Sequence, residues 1–496
     1  MEPPWRDTGP VDRSKPEPVK RSITGSDFLQ LDIGEAPPGG RSAWLAARLR
    51  DAIADGRLPV GSRLPPTRTL AAELGVSRGV VTEAYQRLVE DGHVAGRGRG
   101  GTVVVAVPVT ASPAPAPAPS ADVVFEPRPD VFDRLRAAPA RIDLTPGVPD
   151  LAAFPRVAWL RAERAVLGGL SAADFGYGDP RGAPAFRLAV ANWLARNRGI
   201  RADPADVVVV AGVAQALGLL ATVFRAHGIG EVAVEDPGSL GARQHLRNSG
   251  LATPPVPVDD EGVRVSELRS PAVLLTPAHQ FPAGVVLGGE RRRELMRWGG
   301  LIVEDDYDAE HRYDRPPVPA LRAMLPERVC YAGSISKLLA PALRIGWLLV
   351  PPRYQRDLVD AKRYADLGNA VLPQLVLAHL MTSGDLERHL RFVRRRHRRR
   401  RDAMIDAVRR HLPGVRVHGA AAGLHLMITF DRELSDVDLA TAALSRGVKV
   451  QPLSWHRQLP GAPGLVLGYG ARPPGEIEEG VRIIAELVAR PRGTRR

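Results

Sequence analysis

Short apolar runs alternate with helical segments from about residue 142 onward. Alternation of this kind predicts an α/β domain whose sheet is mostly parallel and covered by helices. The predicted strands are Val207–Ala211, Glu231–Glu235, Ala272–Thr276, Leu301–Glu304 and Arg328–Ala332.

The pattern is helical and then extended in the preceding region, residues 28–105. Arg41–Asp55 places Leu45, Leu49, Ala52 and Ile53 on one face, which predicts an amphipathic helix. Thr67 is predicted to cap a second helix that ends at Gly75, and Ser77 to cap a third, Arg78–Glu90. The glycine-rich stretch Gly92–Val105 predicts a β-hairpin. Two helices joined by a turn and followed by a hairpin indicate a winged helix-turn-helix.

A proline-rich segment indicates where the domain boundaries lie. An alternating Ala-Pro tract around residues 113–119 cannot join a helix or sheet, because proline lacks a donor and has a fixed φ. We therefore predict a disordered tail over residues 1–27, the winged module over 28–105 and a semi-stiff Pro/Ala-rich linker over 106–141. The α/β domain then covers residues 142–490, with a large subdomain to about residue 350 and a small C-terminal subdomain after it.

The net charge and the cysteine content of the chain indicate which partners and which cellular compartment to expect. The net charge of +13 favours polyanionic partners, although the general arginine richness of the chain weakens that argument. The polar N-terminus and the lack of a long apolar run predict neither a signal peptide nor a membrane segment. Cys330 alone cannot form an internal disulfide; we expect a buried thiol and a cytoplasmic protein.

The residues around Lys337 have the chemistry of a pyridoxal 5'-phosphate (PLP) site. Lys337 supplies an amine for a Schiff base, and Asp305, after an apolar strand, supplies a carboxylate for the pyridine nitrogen. Tyr307 offers a phenol to the ring hydroxyl, while Ser334 and Arg344 are suited to the phosphate. A Ser-x-Ser-Lys motif alone is weak, but the spaced arginine and the upstream Asp-x-Tyr make the pattern specific.

The phrase GRLPVGSRLPPTRTLAAELGVSRGVVTEAYQRLVEDGHV closely resembles the GntR winged-helix DNA-binding domain over almost the whole module. The resemblance implies that the third helix enters the major groove of double-stranded DNA and that the wing touches the minor groove. The residues implied to approach the backbone are Arg63, Thr67 and Arg68; those implied to face bases or phosphates are Ser77, Arg78, Gly79 and Thr82; those of the wing are Arg97 and Arg99.

The segments FGYGDPRGAPAFRLAVANWLARNRGI, AGVAQAL and YAGSISKLLAPALRIGW resemble fold-type I aminotransferases over about 350 residues. With the GntR module, the linker, TPAHQFPAG and EDDYDAEHRYDRPP, the chain resembles the MocR/GabR family of PLP-dependent transcriptional regulators. The resemblance implies a head-to-tail, domain-swapped homodimer on paired DNA half-sites. It gives the roles above to Lys337, Asp305, Tyr307, Ser334 and Arg344, adds Ala214 and Gln215 as phosphate donors, and has Tyr177 reach the phosphate from the partner subunit.

Three positions depart from the aminotransferase pattern. Phe281 replaces an asparagine that supports the ring hydroxyl and the substrate, and Ser239 replaces a tyrosine near the ring. By a visual alignment, Trp455 occupies the place of an arginine that binds the α-carboxylate in amino-acid-sensing relatives. These changes predict weak or absent transamination and favour PLP, or a PLP–amine adduct, as an effector, as in the branch that controls vitamin B6 metabolism. The alternatives are an active aminotransferase with an accessory DNA-binding domain, or a fusion with a dead site.

Two further features remain open. The segment Arg391–Arg401 holds eight arginines and no acid, which is typical of a solvated helix face or of an auxiliary DNA-contacting surface. His279, His311 and His425 show no metal-ligand spacing, so we predict no metal site.

Overall fold

The computed structural model describes residues 31–98, 101–106, 128–313, 319–419 and 422–489. The predicted disordered tail, the wing residue Arg99 and most of the predicted linker lie outside these ranges. The chain divides between residues 110 and 111 into two compact units. The predicted linker extends too far, because residues 131–137 form a helix whose Val131 and Leu135 are buried in the core of the second unit. The other predicted boundaries stay predictions.

The first unit is a winged helix-turn-helix. Its core is formed by one face of each helix, with Leu45, Leu49, Leu70, Val81 and Leu88 buried together. The hairpin closes on the third helix, and its strands pair antiparallel with Val94 opposite Val104. The elements are α1 (Arg41–Ala54), α2 (Thr67–Glu73), α3 (Arg78–Glu90), β1 (Val94–Gly96) and β2 (Thr102–Val104).

One detail of the predicted capping is wrong. Thr67 is the first residue of α2, and Pro66 occupies the cap position before it. Proline has no side-chain oxygen to accept from the first turn, and α2 begins without a side-chain capping hydrogen bond. Ser77 does occupy the cap of α3, but its side chain makes no capping hydrogen bond.

The second unit contains helices on both faces of a large sheet and a smaller C-terminal sheet. Its helices are α4 (Val131–Ala137), α5 (Arg156–Gly169), α6 (Pro184–Arg198), α7 (Val213–Ala226), α8 (Leu240–Asn248), α9 (Gly289–Trp298), α10 (Leu321–Met324), α11 (Pro352–Asp366), α12 (Val371–Thr382), α13 (Asp385–His411), α14 (Asp436–Ser445) and α15 (Pro474–Ala489). Its strands are β3 (Ile142–Asp143), β4 (Val208–Val210), β5 (Ala233–Asp236), β6 (Pro255–Asp259), β7 (Gly262–Val263), β8 (Ala272–Leu275), β9 (Leu301–Asp306), β10 (Val329–Ser334), β11 (Gly346–Leu349), β12 (Val415–His418), β13 (His425–Phe430), β14 (Val448–Lys449), β15 (Gln451–Pro452) and β16 (Gly464–Gly468).

The large sheet confirms the predicted α/β class. Its strand order is β4-β11-β10-β9-β8-β5-β6-β7. The central pairs from β10 through β9, β8 and β5 to β6 are parallel, whereas β11 runs antiparallel to both β10 and β4. The five predicted strands all form, with ends displaced by one or two residues. Parallel strands end at a common edge, and Asp305 of β9 and Ser334 of β10 lie at the carboxyl ends of two neighbours.

The smaller sheet has the order β12-β13-β16-β15, while β14 pairs with β3 from the start of the unit. A second core of α4, α13, α14, α15 and these strands buries Leu135, Met404, Leu426 and Ile484. The N-terminal segment of the unit is therefore built into its C-terminal part. In the part of the chain that the structure describes, no helix is both long and apolar enough to cross a membrane.

Candidate functional site

A cavity of about 530 Å³ opens at the carboxyl ends of the central strands. Lys337, Asp305, Tyr307, Ser334, Arg344 and Ala214 all line it, so one cavity brings together six of the eight residues predicted to bind a cofactor. Further lining residues that the sequence interpretation did not assign to the cofactor include Gly147, His245, Thr276, Asp308, Ser336, His425, Lys449 and His456.

Lys337 follows β10 and extends into this cavity. Its Nζ donates a hydrogen bond of 2.5 Å to the carbonyl oxygen of Gly147. Gly147 has a φ of +82°, and a Cβ there would lie 3.0 Å from Nζ, so glycine leaves room for the amine. Burial lowers the pKa of Lys337, against the opposing effect of Asp308 and Asp305. A lowered pKa increases the fraction of neutral, nucleophilic amine.

The carboxyl group of Asp305 lies in the cavity wall among other charged groups. Burial raises the pKa of its carboxyl to about 7, the negative charges of Asp306 and Asp308 act in the same direction, and Lys337 opposes them. Its Oδ1 is buried and has no hydrogen-bond partner among the described residues. A buried, unpartnered carboxylate oxygen is costly, and a protonated ring nitrogen would relieve that cost.

Tyr307 directly follows β9 and lines the same cavity as Asp305. Its hydroxyl donates to the backbone oxygen of His279 at 3.0 Å and lies 3.0 Å from that residue's Nδ1. Burial, together with Asp308 and Asp305, raises the pKa of Tyr307 well above its ordinary value. The phenol therefore stays protonated, and with its proton donated to His279 its oxygen can accept a hydrogen bond at the cavity wall.

A second part of the cavity wall, formed by the start of α7 with Arg344 and Ser334, is suited to a phosphate. Gly212, Val213 and Ala214 form the N-terminus of α7, where backbone N–H groups attract anions. The guanidinium of Arg344 donates to the carbonyl of Ala211 at this helix end. Arg344 has a φ of +51°, a left-handed conformation that is rare for a side-chain-bearing residue and occurs often at functional sites. Ser334 and Ser336 complete this end.

The exposed face of the first unit carries most of the predicted DNA contacts. Arg63, Arg68, Ser77, Arg78, Gly79, Thr82 and Arg97 are all exposed, and Thr67 is half-buried. Arg78 Nε donates to Thr67 Oγ1 at 3.3 Å, which joins the start of α3 to the start of α2. Arg97 lies at the hairpin turn, where its N–H bonds to the Gly101 oxygen at 2.8 Å.

Comparison with known proteins matches both units. The first corresponds to the bacterial regulatory proteins of the gntR family over residues 42–104, and the second to aminotransferase class I and II over residues 141–461. Over both units together, the chain is 34% identical to the probable rhizopine catabolism regulatory protein MocR of Rhizobium meliloti, covering 92% of this chain and 94% of the relative. The chain belongs to the MocR/GabR family of transcriptional regulators.

Other members and solved structures agree with this assignment. The HTH-type pyridoxine biosynthesis transcriptional regulator PdxR of Corynebacterium glutamicum is 31% identical, over 89% of this chain and 95% of its own. The multiple substrate aminotransferase of Thermococcus profundus has a TM-score of 0.65 at 29% identity, covering 71% of this chain and 92% of its own. LysN of Thermus thermophilus, an α-aminoadipate aminotransferase solved with N-(5'-phosphopyridoxyl)-L-leucine, has a TM-score of 0.64 at 28% identity, covering 72% and 93%.

Two residues predicted to bind the cofactor lie away from the cavity of this MocR/GabR chain. The amide of Gln215 is held by the Ala211 N–H at 2.7 Å and by Asp366 at 2.6 Å, beside the buried Lys362. Its side chain is thus part of a polar network behind the helix start. Tyr177 is 97% exposed, which leaves it available to a second subunit.

The three departures from the aminotransferase pattern lie in different environments. Ser239 lines the cavity and caps α8, with its Oγ accepting from the Ala242 N–H at 3.2 Å. Phe281 lines the cavity and packs edge-on against Tyr307, with ring centroids 6.3 Å apart. Trp455 does not line it: the ring is buried against Phe132, and the neighbouring His456 takes the position at the wall. Trp455 therefore takes no part in the cavity wall, whichever residue of the relatives it corresponds to.

The structure brings His279, Asp308 and His425 together, with ligand-type atoms within 4.8 Å of one another. Sequence spacing gave no sign of this, because the three residues come from different segments. His279 Nδ1 already bonds to Asp308 Oδ2 at 2.8 Å, and burial lowers the pKa of His425 to about 3. His311 lies apart, with Nε2 3.0 Å from the backbone oxygen of Lys337. The prediction of no metal site stays a prediction.

The arginine-rich segment forms the middle of α13 and has two faces. Arg396 and Arg400 point inward and pair with the buried Asp150 at 2.6 and 3.0 Å. Arg391, Arg394 and Arg395 are exposed. The segment is therefore partly structural, and only its outer face is available to a polyanion.

Proposed function

We propose that this transcriptional regulator binds PLP in the cavity and that cofactor occupancy controls how it binds DNA. The observation that carries the proposal is the buried, unpartnered Oδ1 of Asp305 beside Lys337. A carboxylate in that position fits a protonated pyridine nitrogen, and few other small molecules present such a donor together with a phosphate and a carbonyl.

In this proposal, different residues of the chain bind different parts of the cofactor. Lys337 provides the amine, Asp305 holds the proton at the ring nitrogen, and Tyr307 bonds the ring hydroxyl. Ser334, Arg344 and the α7 N-terminus with Ala214 hold the phosphate. When bound, the cofactor supplies an electrophilic carbonyl and an electron-withdrawing ring. Gln215 supports the α7 N-terminus through its bond to Ala211, and Tyr177 of the partner subunit is proposed to reach the phosphate.

Two side chains that line the cavity favour sensing over turnover. Phe281 places an aromatic ring where aminotransferases use an amide, and Ser239 uses its hydroxyl to cap a helix. Neither side chain orients an amino-acid substrate for proton transfer. The resemblance to a pyridoxine biosynthesis regulator supports vitamin B6 metabolism as the controlled pathway.

Loading of purified, full-length protein with PLP tests the site. We expect a yellow protein whose cofactor becomes covalently fixed on borohydride reduction, and no fixed adduct in Lys337→Ala. Lys449→Met is the matched control, since Lys449 lines the same cavity, and its adduct should persist. An adduct retained in Lys337→Ala would place the cofactor on another amine.

Turnover distinguishes this proposal from an active aminotransferase with an accessory DNA-binding domain. Single-turnover and steady-state mixing with a panel of amino acids and keto acids should give rates well below the ~1 s⁻¹ of slow ordinary enzymes. Sustained turnover at or above that rate would favour the aminotransferase.

A further inference from the structure

Lys337 is contacted at both of its ends by segments that belong to no helix or strand. Lys337 itself lies in a turn after β10. Its Nζ donates to the backbone oxygen of Gly147, and its own backbone oxygen lies 3.0 Å from Nε2 of the buried His311. Irregular segments are more mobile than the helices and strands they connect. Contacts from elsewhere in the fold therefore decide how firmly this amine is held.

Helix α13 holds the Gly147 segment through Asp150. Asp150 is 3% exposed, and its Oδ2 accepts from Arg396 Nε at 2.6 Å and lies 3.0 Å from Arg400 Nη1. A buried carboxylate with two guanidinium partners is costly to displace, because breaking such a pair leaves a buried charge without compensation. Asp150 lies three residues after Gly147, with Pro149 and its fixed φ between them. The position of Asp150 therefore restricts that of the Gly147 carbonyl.

The same part of α13 holds the His311 segment. Arg394 donates to the backbone oxygen of Glu310 at 3.0 Å, and the His397 ring lies edge-on to His311, with ring centroids 5.1 Å apart. Burial lowers the pKa of both imidazoles, so each is neutral at pH 7. A carbonyl oxygen can only accept, so the proton of the neutral His311 lies on Nε2 and is donated to Lys337.

Four residues within about two turns of α13 thus hold both segments that contact Lys337. The four are Arg394, Arg396, His397 and Arg400. We propose that, acting through Asp150 and His311, they position the Lys337 amine for its reaction with the cofactor. They touch neither the amine nor the cofactor position and are positioning residues. This inference rests on the proposed PLP site, and it gives the inner side of the arginine-rich segment a function that its charge pattern did not indicate.

Stopped-flow loading of the cofactor-free, full-length protein with PLP tests this positioning. The covalent step joins Nζ to the aldehyde carbon and releases one water, and its rate depends on where the amine is held. The observed rate as a function of PLP concentration separates the dissociation constant of the first, non-covalent complex from the first-order rate constant of the covalent step.

The test variants are His311→Leu and Arg396→Met, which remove one contact on each side of Lys337. Both leave the proposed phosphate-binding residues in place, so the dissociation constant of the first complex should change by less than about twofold, whereas the first-order rate constant should fall about tenfold or more.

Two conservative substitutions restore the contacts. His311→Gln keeps an N–H donor, and Arg396→Lys keeps a cation beside Asp150, so each should recover most of the rate constant lost in its partner variant. Arg395→Ala is the matched control, because Arg395 is an exposed neighbour on the same helix, and this variant should load as the wild type does.

An unchanged first-order rate constant in the test variants, or a slower loading explained entirely by weaker initial binding, overturns the inference. Thermal unfolding identifies a variant that fails to fold, and the other variant then decides, since the two act on opposite sides of Lys337. Borohydride fixation on the same samples reports separately on the PLP site. A wild-type adduct with equal rates throughout overturns the positioning alone, whereas no adduct in the wild type overturns the PLP site itself.

Discussion

Burial of the Asp305 carboxylate lowers folding stability, and its proposed role at the ring nitrogen explains why such a group is present. In the cofactor-free cavity burial raises the pKa of this carboxyl to about 7, whereas an unfolded aspartate ionises near its ordinary value of 3.8. Between these values the folded state binds more protons than the unfolded state, so folding stability falls as pH rises through this window. Above about pH 7 the full cost is present.

Asp305→Asn should therefore stabilise the cofactor-free protein at pH 8 by roughly 1–3 kcal/mol and leave it nearly unchanged at pH 4. The same substitution should weaken PLP binding, because the amide cannot hold the ring nitrogen's positive charge. Denaturant unfolding with and without PLP at both pH values measures the two effects. If Asp305→Asn instead lowered the free energy of unfolding at pH 8 without PLP, the carboxylate would stabilise the fold and the account of its cost would be wrong.

Some residues of the site could be identified from the sequence, whereas the directions of other side chains could not. Lys337, Asp305 and Arg344 were identified because their chemistry follows from residue type and spacing. The direction of the Gln215 side chain could not be predicted, because Lys362 and Asp366, far along the chain, determine where its amide points. Trp455 and His456 are neighbours on one short 3₁₀ turn, and only packing against Phe132 decides which of the two reaches the cavity.

At the scale of the element, helix α3 and the wing should contribute differently to DNA binding. Arg78 is the first residue of α3 and is exposed at the end that we expect to enter the major groove, so Arg78→Ala should relax sequence preference and cost about 1–3 kcal/mol. Arg97, at the hairpin turn, should contact phosphate, and Arg97→Ala should weaken specific and non-specific binding alike.

Titrations on operator and scrambled duplexes over a salt series separate the two cases; the Arg97 variant should lose about one unit of salt slope per phosphate contact. Arg87→Ala is a suitable control, since Arg87 lies farther along α3 and pairs with Glu83 at 2.7 Å. A loss of specificity in the Arg97 variant, with none in the Arg78 variant, would reverse the two roles.

The two-faced helix α13 explains why a run of arginines could not be interpreted from sequence. Periodicity predicted neither the buried Asp150 nor its pairing with Arg396 and Arg400, since that carboxylate lies some 250 residues away in sequence. By contrast, the bounds of α3 and the existence of the five predicted strands followed from local patterns of apolar residues and glycine.

At the scale of the whole molecule, the 97% exposure of Tyr177 favours a cofactor site shared between subunits. A mixture of Lys337→Ala and Tyr177→Phe chains should then form dimers with one complete site. That site combines Lys337 of the Tyr177→Phe chain with Tyr177 of the partner subunit.

Cofactor retention after dialysis should accordingly rise in the mixture above the average of the two separate variants. If retention in the mixture equals that average while mixed dimers are demonstrably present, Tyr177 does not act across subunits. Wild-type protein mixed with Lys337→Ala provides the reference for subunit exchange.

The sequence between the two units is rich in alternating alanine and proline, and we predict that it acts as a semi-stiff linker. The central claim, that PLP occupancy is a signal to the DNA-binding unit, is tested most directly by titrating the cofactor-free and the PLP-loaded full-length protein on the operator. Affinity, stoichiometry and DNA bending are measured at one salt concentration. The account predicts a change in at least one of the three, absent in Lys337→Ala; identical values for both forms of the wild-type protein would contradict it and leave PLP a structural cofactor.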